Sequence, residues 1–188
     1  MGRSGCGKGT QAKLINEYLT KEYPEFSVFS FETGERLRDF IKNDAYTSTL
    51  AREIQEEGGL QPAFLPVWVW STVFIENLTG SGEHLIIDGT PRKEFEACLF
   101  DDALHFYKRE KPCYIYLNVS EEWSRKRLTE RGRNDDSHTS FVDRKMKLFE
   151  TDVLPTVEFF RHNSYYHFLD INGEQTIDAV HQEIISHL

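Results

Sequence analysis

Apolar and polar positions along the chain fall into two alternating rhythms. Ala12, Ile15 and Leu19 alternate with Lys13, Asn16 and Glu17 at helical spacing, so a helix is expected from near Gly7 through Leu19. Phe26 to Phe31 is a short strand-like run closed by Thr33-Gly34, and Glu35 to Lys42 reads as helix again. Residues 43–80 are expected to be helical apart from breaks at Gly58-Gly59 and Pro62, with Leu65 to Leu78 the longest piece. Trp68, Trp70 and Phe74 in that piece read as packing groups. After a turn at residues 80–82, His84 to Asp88 is a β-rich run ending on a carboxylate. Glu94 to Arg109 is expected to be helical, Cys113 to Val119 a strand, and Glu121 to Arg131 a helix with Ser120 as its N-cap. Gly132 to Ser140 is polar and loop-like. Val142 to Phe160 is amphipathic except at Pro155, which is expected to bend or break it. Tyr166 to Leu169 and Thr176 to Leu188 read as a last strand and a last helix. Strands separated by helices imply an α/β fold, a parallel sheet covered on both faces.

The first ten residues change the picture from fold to chemistry. Gly2-Arg3-Ser4-Gly5-Cys6-Gly7-Lys8-Gly9-Thr10 leads directly into the first helix. Backbone N–H groups surround a phosphate only where the chain bends tightly and carries few β-carbons, and a helix N-terminus behind them adds partial positive charge. Gly5, Cys6, Gly7, Lys8, Gly9 and Thr10 are therefore the candidate ATP-phosphate cradle, with Lys8 following the β- and γ-phosphates. A loop of this kind normally follows a buried apolar strand, yet the sequence opens at the loop. The sheet is expected to lack its first core strand, either because the sequence is shortened or because the fold does without it.

The chain has 188 residues, 39% of them hydrophobic, enough for one sizeable core with any second element as an insertion. A formal net charge of −9 argues against nucleic-acid or anionic-membrane binding. Within that acidic chain, eight of the 22 Lys and Arg residues lie between Arg125 and Lys147. Three scattered cysteines show no metal-ligand spacing and suit a reducing compartment, so the expected location is the cytoplasm.

The opening string followed by Gln11 resembles the adenylate kinase family, and the likeness runs along nearly the whole chain. Thr33-Gly34-Glu35-Arg36-Leu37-Arg38 is similar to the family's acceptor-site segment, Gly59-Leu60-Gln61-Pro62 to the close of its mobile acceptor-binding helices, and Asp88-Gly89-Thr90-Pro91-Arg92 to its Asp-Gly-aromatic-Pro-Arg signature. Arg127, Arg131, Arg133, Asp135, Asp136 and Arg144 match its lid in the short form. The resemblance implies a three-layer P-loop kinase fold: one domain over 1–188, a helical acceptor-binding insertion near 33–62 and a short lid near 131–140. It implies reversible phosphoryl transfer from ATP-Mg2+ to AMP by a monomer.

Such a transfer needs fixed positive charge to bring two polyanions together, not a covalent intermediate. Lys8, Arg92, Arg131, Arg133 and Arg144 are the expected catalytic residues. Arg127 and the Gly173-Glu174 backbone would meet the ATP base by resemblance. Thr33, Gly34, Arg38, Gln61, Gly89, Arg92 and Glu96 would line the acceptor site. Asp88 would hold Mg2+ through water, and Asp135-Asp136 would hold lid arginines or metal-bound waters. Three residues depart from the family pattern. Glu96 stands where a base-reading glutamine is usual and an ionised carboxylate only accepts hydrogen bonds. Gln61 replaces valine and offers a donor, and Thr90 replaces an aromatic. A kinase for GMP, UMP or CMP, and a non-catalytic nucleotide-binding relative, stay open as alternatives.

Overall fold

A computed structural model describes residues 1–80, 82–132 and 139–188. In chain order these form α1 (Lys8–Glu22), β1 (Val28–Glu32), α2 (Thr33–Phe40), α3 (Tyr46–Glu56), α4 (Phe64–Asn77), β2 (His84–Asp88), α5 (Glu94–Phe106) and β3 (Cys113–Asn118). They continue as α6 (Glu121–Arg131), α7 (Thr139–Leu148), a π-helical turn (Phe149–Val153), α8 (Leu154–Arg161), β4 (His167–Asn172) and α9 (Ile177–Ile185). Both ladders are parallel, β1 with β2 and β3 with β4, and helices flank them, as the alternation of periods implies.

Among the described residues no ladder joins β2 to β3. The chain's first two residues are what pairs on the inner side of β3: Leu117 N donates to Met1 O at 2.8 Å, the Met1 ammonium donates to Ile115 O, and Gly2 bridges Leu117. The phosphate loop springs from the short Met1–Gly2 pairing. Gly2 is required there, because a Cβ would stand 2.4 Å from Leu117 O.

Two buried clusters hold these halves. Phe31, Trp70, Phe74, Phe100, Tyr114 and Phe160 belong to the larger one, and the Tyr114 and Phe160 rings stack at 4.4 Å. The smaller one sets Ile15 of α1 and Val180 and Ile184 of α9 against Leu117, Leu169 and Ile171. Each such side chain contributes roughly 1.5–3 kcal/mol by leaving water.

Helix ends follow local chemistry. Ser120 Oγ accepts from Trp123 N and Thr176 Oγ1 from Ala179 N, and Gly132 closes α6 in a left-handed conformation at φ 61°. Pro66 sits in the first turn of α4, where its missing N–H costs nothing. Pro155 does not break its helix. The chain passes through the π turn, where Leu154 N reaches Phe149 O, and Pro155 falls in the first turn of α8. Thr139 and Ser140, expected in a loop, already belong to α7. Strand β4 runs to Asn172, beyond the expected Leu169, because pairing with β3 holds Asp170 and Asn172 extended against their propensity. Of the three α4 aromatics read as packing groups, Trp70 and Phe74 are buried, whereas Trp68 is half exposed.

Candidate functional site

Beyond the carboxyl ends of the parallel strands lies one cleft of about 980 Å3. Its wall is assembled from stretches distant in sequence, among them the phosphate loop, the β1–α2 junction, the 58–61 turn, the β2–α5 junction, and one face each of α6 and α7.

The loop is shaped by glycine. Gly5 (φ 86°) and Gly7 (φ 96°) lie in the left-handed region, and Gly7 N-caps α1, so the helix starts at Lys8. Lys8 Nζ donates to Gly2 O and Arg3 O, each at 2.9 Å, and lies 3.5 Å from Cys6 Sγ. Its ammonium thus spans the loop, positioned for a polyanion held by the same backbone. Cys6 is buried beneath the loop among Leu117 and Val119 and does not line the cleft. Arg3 braces the loop from outside. Its Nε donates to Val119 O at 3.2 Å, its guanidinium lies 4.1 Å above the Phe149 ring, and it pairs with Glu150.

At the β1–α2 junction, Arg38 Nη2 donates to Glu32 Oε1 at 2.8 Å, and both line the cleft. Gly34 lies under this pair, for a Cβ there would be 3.1 Å from Arg38 Nη1. Thr33 lines the same wall with its hydroxyl buried and, among the described residues, without a hydrogen-bond partner. In the ladder Glu32 is the partner of Asp88, so the two carboxylates project on one side of neighbouring strands. Asp88 faces the loop: its Oδ2 is 3.7 Å from where a Gly9 Cβ would stand. Among the described residues, no group of three or more His, Cys, Asp or Glu is arranged to hold a metal ion. A single carboxylate beside a phosphate cradle does suit a hard cation that keeps most of its waters.

Arg92 lines the cleft with its Nε bonded to Gly89 O at 2.8 Å. Thr90, with an unpartnered buried hydroxyl among the described residues, stands two residues before it and is not part of the cleft wall. Glu96 also lines the cleft, but its carboxylate has a structural task. Oε2 accepts from Arg92 N and from Lys93 N at 3.2 Å, closing a capping box on α5. Burial pushes this carboxyl's pKa up, and the two backbone donors oppose the shift. Gln61 also lines the cleft. One amide N–H donates to Ala51 O at 2.8 Å, the second N–H remains a donor, and Oε1 is buried with no partner among the described residues.

The remaining candidates divide. Arg127 lines the cleft, its guanidinium 5.5 Å from the Trp123 ring. Arg144 does not; it donates to Glu57 O at 2.7 Å and pairs with Glu57 Oε2 at 3.3 Å, tying α7 to the turn after α3. Phe141 packs on the same turn, with its Cα 3.6 Å from where a Gly58 Cβ would stand. Gly173 and Glu174 sit behind the loop rather than in the cleft. Gly173 N donates to Asn118 O at 2.8 Å, and Glu174 Oε1 accepts from Ser120 N at 2.5 Å; hydrogen bonding from the Ser120 side chain and from this backbone N–H holds the Glu174 pKa down. The Arg131 side chain, Arg133, Asp135 and Asp136 lie outside the described residues. Residues missed from the sequence are Glu32 and Arg3. A carboxylate six residues before Arg38 was a visible signal for the first, and only the fold brings Arg3 to Phe149.

A family model described as adenylate kinase matches residues 1–165. An adenylate kinase of Prochlorococcus marinus (strain MIT 9515) is 27% identical over 174 residues, covering 93% of this chain and 89% of its own length. One from Flavobacterium psychrophilum is 26% identical over 194 residues, covering 100% and 96%, and one from Leptospira biflexa 27% identical over 189 residues, covering 98% and 95%.

Proposed function

The chain belongs to the adenylate kinase family, and from that premise we propose that it moves the γ-phosphoryl group of ATP-Mg2+ onto AMP, reversibly, giving two ADP. One observation carries the reading: Lys8 and the glycine loop share a single cleft with Thr33, Arg38, Asp88 and Arg92. In this reading the acceptor phosphate sits between Arg38 and Arg92, whose planar guanidinium groups suit bidentate binding. Its oxygen attacks the γ-phosphorus in line as the bond to the bridging oxygen breaks, and ADP leaves without any enzyme-bound intermediate. Lys8 moves from the Gly2 and Arg3 carbonyls onto the transferring group. Asp88 would hold Mg2+ through water, and the metal would neutralise charge between the β- and γ-phosphates.

Residues 33–62 act as the acceptor-binding insertion and 131–140 as a short lid, and their closure excludes water from ATP. Arg131, Arg133 and Arg144 approach the donor side on closure, Arg144 by leaving Glu57. Asp135 and Asp136 hold lid arginines or metal-bound waters. Arg127 borders the ATP base, and the Gly173-Glu174 backbone supports the loop from behind. The acceptor segment Thr33 to Arg38 follows the family's pattern, which supports AMP over GMP, UMP and CMP. Free, scattered cysteines support a cytoplasmic location, and the protein works as a monomer.

The test is a coupled ADP-release assay with ATP-Mg2+ and each of AMP, GMP, UMP and CMP. AMP is expected to be turned over best. A higher kcat/KM for another monophosphate moves the chain to that acceptor. The alternative reading is a nucleotide binder that does not catalyse. Tight ATP binding with no ADP from any monophosphate would select it.

A further inference from the structure

The turn after α3 is held from two sides. Glu57 is the C-cap of α3, and Gly58 follows in the left-handed region at φ 72°. Gly58 N donates to Gln55 O and Gly59 N to Ile54 O, each at 2.9 Å, which closes the helix end as a Schellman motif. On the acceptor side, Lys93 Nζ at the start of α5 donates to Gln61 O at 3.2 Å. On the other side lies α7. Its Arg144 Nη1 donates to Glu57 O at 2.7 Å and to Glu57 Oε2 at 3.3 Å, and Phe141, three residues earlier on the same helix, packs on Gly58. The guanidinium rests against Gly59, where a Cβ would stand only 3.2 Å from Nη2.

This arrangement links the two ends of the cleft. Residues 58–61 form part of its wall and belong to the acceptor-binding insertion, whereas Arg144 is assigned to the donor side in the proposed function. Both Nη1 contacts go to Glu57, and Arg144 stands outside the cleft wall although the next residue, Lys145, lines it. A donor phosphate therefore gains Arg144 only by drawing it off the turn. Nothing buries the pair against such an exchange, for the two side chains are 45% and 69% exposed.

We propose that Glu57 is a positioning residue: it holds Arg144 on the acceptor-side turn while the donor site is empty, and ATP-Mg2+ frees the turn by taking Arg144 away. The inference rests on the donor-side role proposed for Arg144. Linkage makes the coupling reciprocal, so the hold on the turn weakens ATP binding by the factor with which ATP loosens the turn. For an exposed ion pair that factor is about 1.4- to 5-fold.

The experiment is an equilibrium titration with ATP-Mg2+ at low ionic strength on the full chain, Glu57→Gln, Arg144→Ala and the double variant. Glu57→Gln keeps the size of the side chain and the backbone acceptor, and it is expected to bind ATP about 1.4- to 5-fold tighter. Removing any carboxylate from an acidic chain favours a polyanion, so the cycle decides: in the Arg144→Ala background the gain is expected to vanish. Hydrogen exchange at the Gly58 and Gly59 amides reads the turn directly. Saturating ATP-Mg2+ is expected to speed it by a similar factor in the parent and not in Arg144→Ala.

An equal gain in both backgrounds, no gain at all, or exchange that ATP leaves unchanged or slows in the parent overturns the inference. Because the cycle reads binding, it decides the role of Glu57 even in a protein that transfers nothing. A parent that makes ADP from ATP and AMP but shows no coupling in the cycle loses only this inference. A parent that binds no ATP loses the proposed function with it.

Discussion

Glu32 and Arg38 pair at 2.8 Å in the wall where the acceptor phosphate is proposed to bind, each side chain about 40% exposed. The phosphate must share or take over that arginine, and it must do so beside a carboxylate. Replacing Glu32 by Gln keeps the shape and a hydrogen-bonding oxygen but removes the charge. Two effects then favour the acceptor. A half-exposed ion pair of this kind is worth about 0.2–1 kcal/mol, which the ligand no longer has to displace. A carboxylate roughly 6 Å from a phosphate charge repels it by about 1 kcal/mol at an effective dielectric near 50, and that repulsion also disappears. Together they come to about 1–2 kcal/mol, a fall in acceptor KM of roughly 5- to 30-fold. The measurement is steady-state kinetics with AMP varied at saturating ATP-Mg2+, at low ionic strength and again in high salt, where screening should shrink the gain. The ATP KM is expected to stay the same, because the effect is local to Arg38. In the Arg38→Ala background Glu32→Gln should give a smaller gain, since the pair no longer exists to be broken. An acceptor KM that is unchanged or raised, or an equal fall in the ATP KM, would show that the phosphate does not seat on Arg38.

Lys8→Ala should lower kcat by about 100- to 1,000-fold, the cost of one preorganised charge at a transferring group, while the acceptor KM moves far less; equal losses in both would remove Lys8 from its proposed role. Glu96 has a raised pKa in the fold, so its contribution to stability is full below the unfolded value and is lost as pH rises through the folded one. Glu96→Gln should therefore melt no lower than the parent near pH 8, with its relative advantage shrinking towards pH 4. A variant clearly less stable at pH 8 would mean that the charged cap outweighs burial, and an unchanged ranking of AMP and GMP would confine Glu96 to capping. Arg144→Ala should change stability by under about 1 kcal/mol, because its pair with Glu57 is exposed. Its kcat should fall at least about tenfold if Arg144 swings to the donor phosphates; a kcat near the parent's would leave it as a strap between α7 and the turn after α3.

Much of the site was legible because its chemistry is local. Gly5 and Gly7 adopt conformations that other residues resist, so their clustering before a helical period announces a tight loop whatever surrounds it. Thr33 to Arg38 and Asp88 to Arg92 follow strand-like runs, and polar residues just beyond a buried strand are what an α/β sheet presents at its carboxyl edge. What the sequence left open is which partners these side chains already have. Glu96 stands at N3 of α5, where its carboxylate accepts from Arg92 N and Lys93 N once the helix start is fixed. Gln61 gives one amide N–H to Ala51 O, and Arg144 reaches Glu57 across 87 residues. Pro155 promised a break that the π turn before it absorbs.

Side-chain order along the chain was sufficient to determine where most helices and strands fall, where the phosphate loop bends, and which cations are available for two nucleotides. Those properties follow from backbone sterics and from spacing within a few residues. The tertiary structure alone decided what each face meets: that Met1–Gly2 pairs with β3, that Arg38 is already engaged by Glu32, and that Trp70 and Phe74 of α4 meet Phe100 of α5 and Tyr107 at its end. Packing is a relation between segments, and a period of 3.6 residues records that a surface must be covered without recording by what.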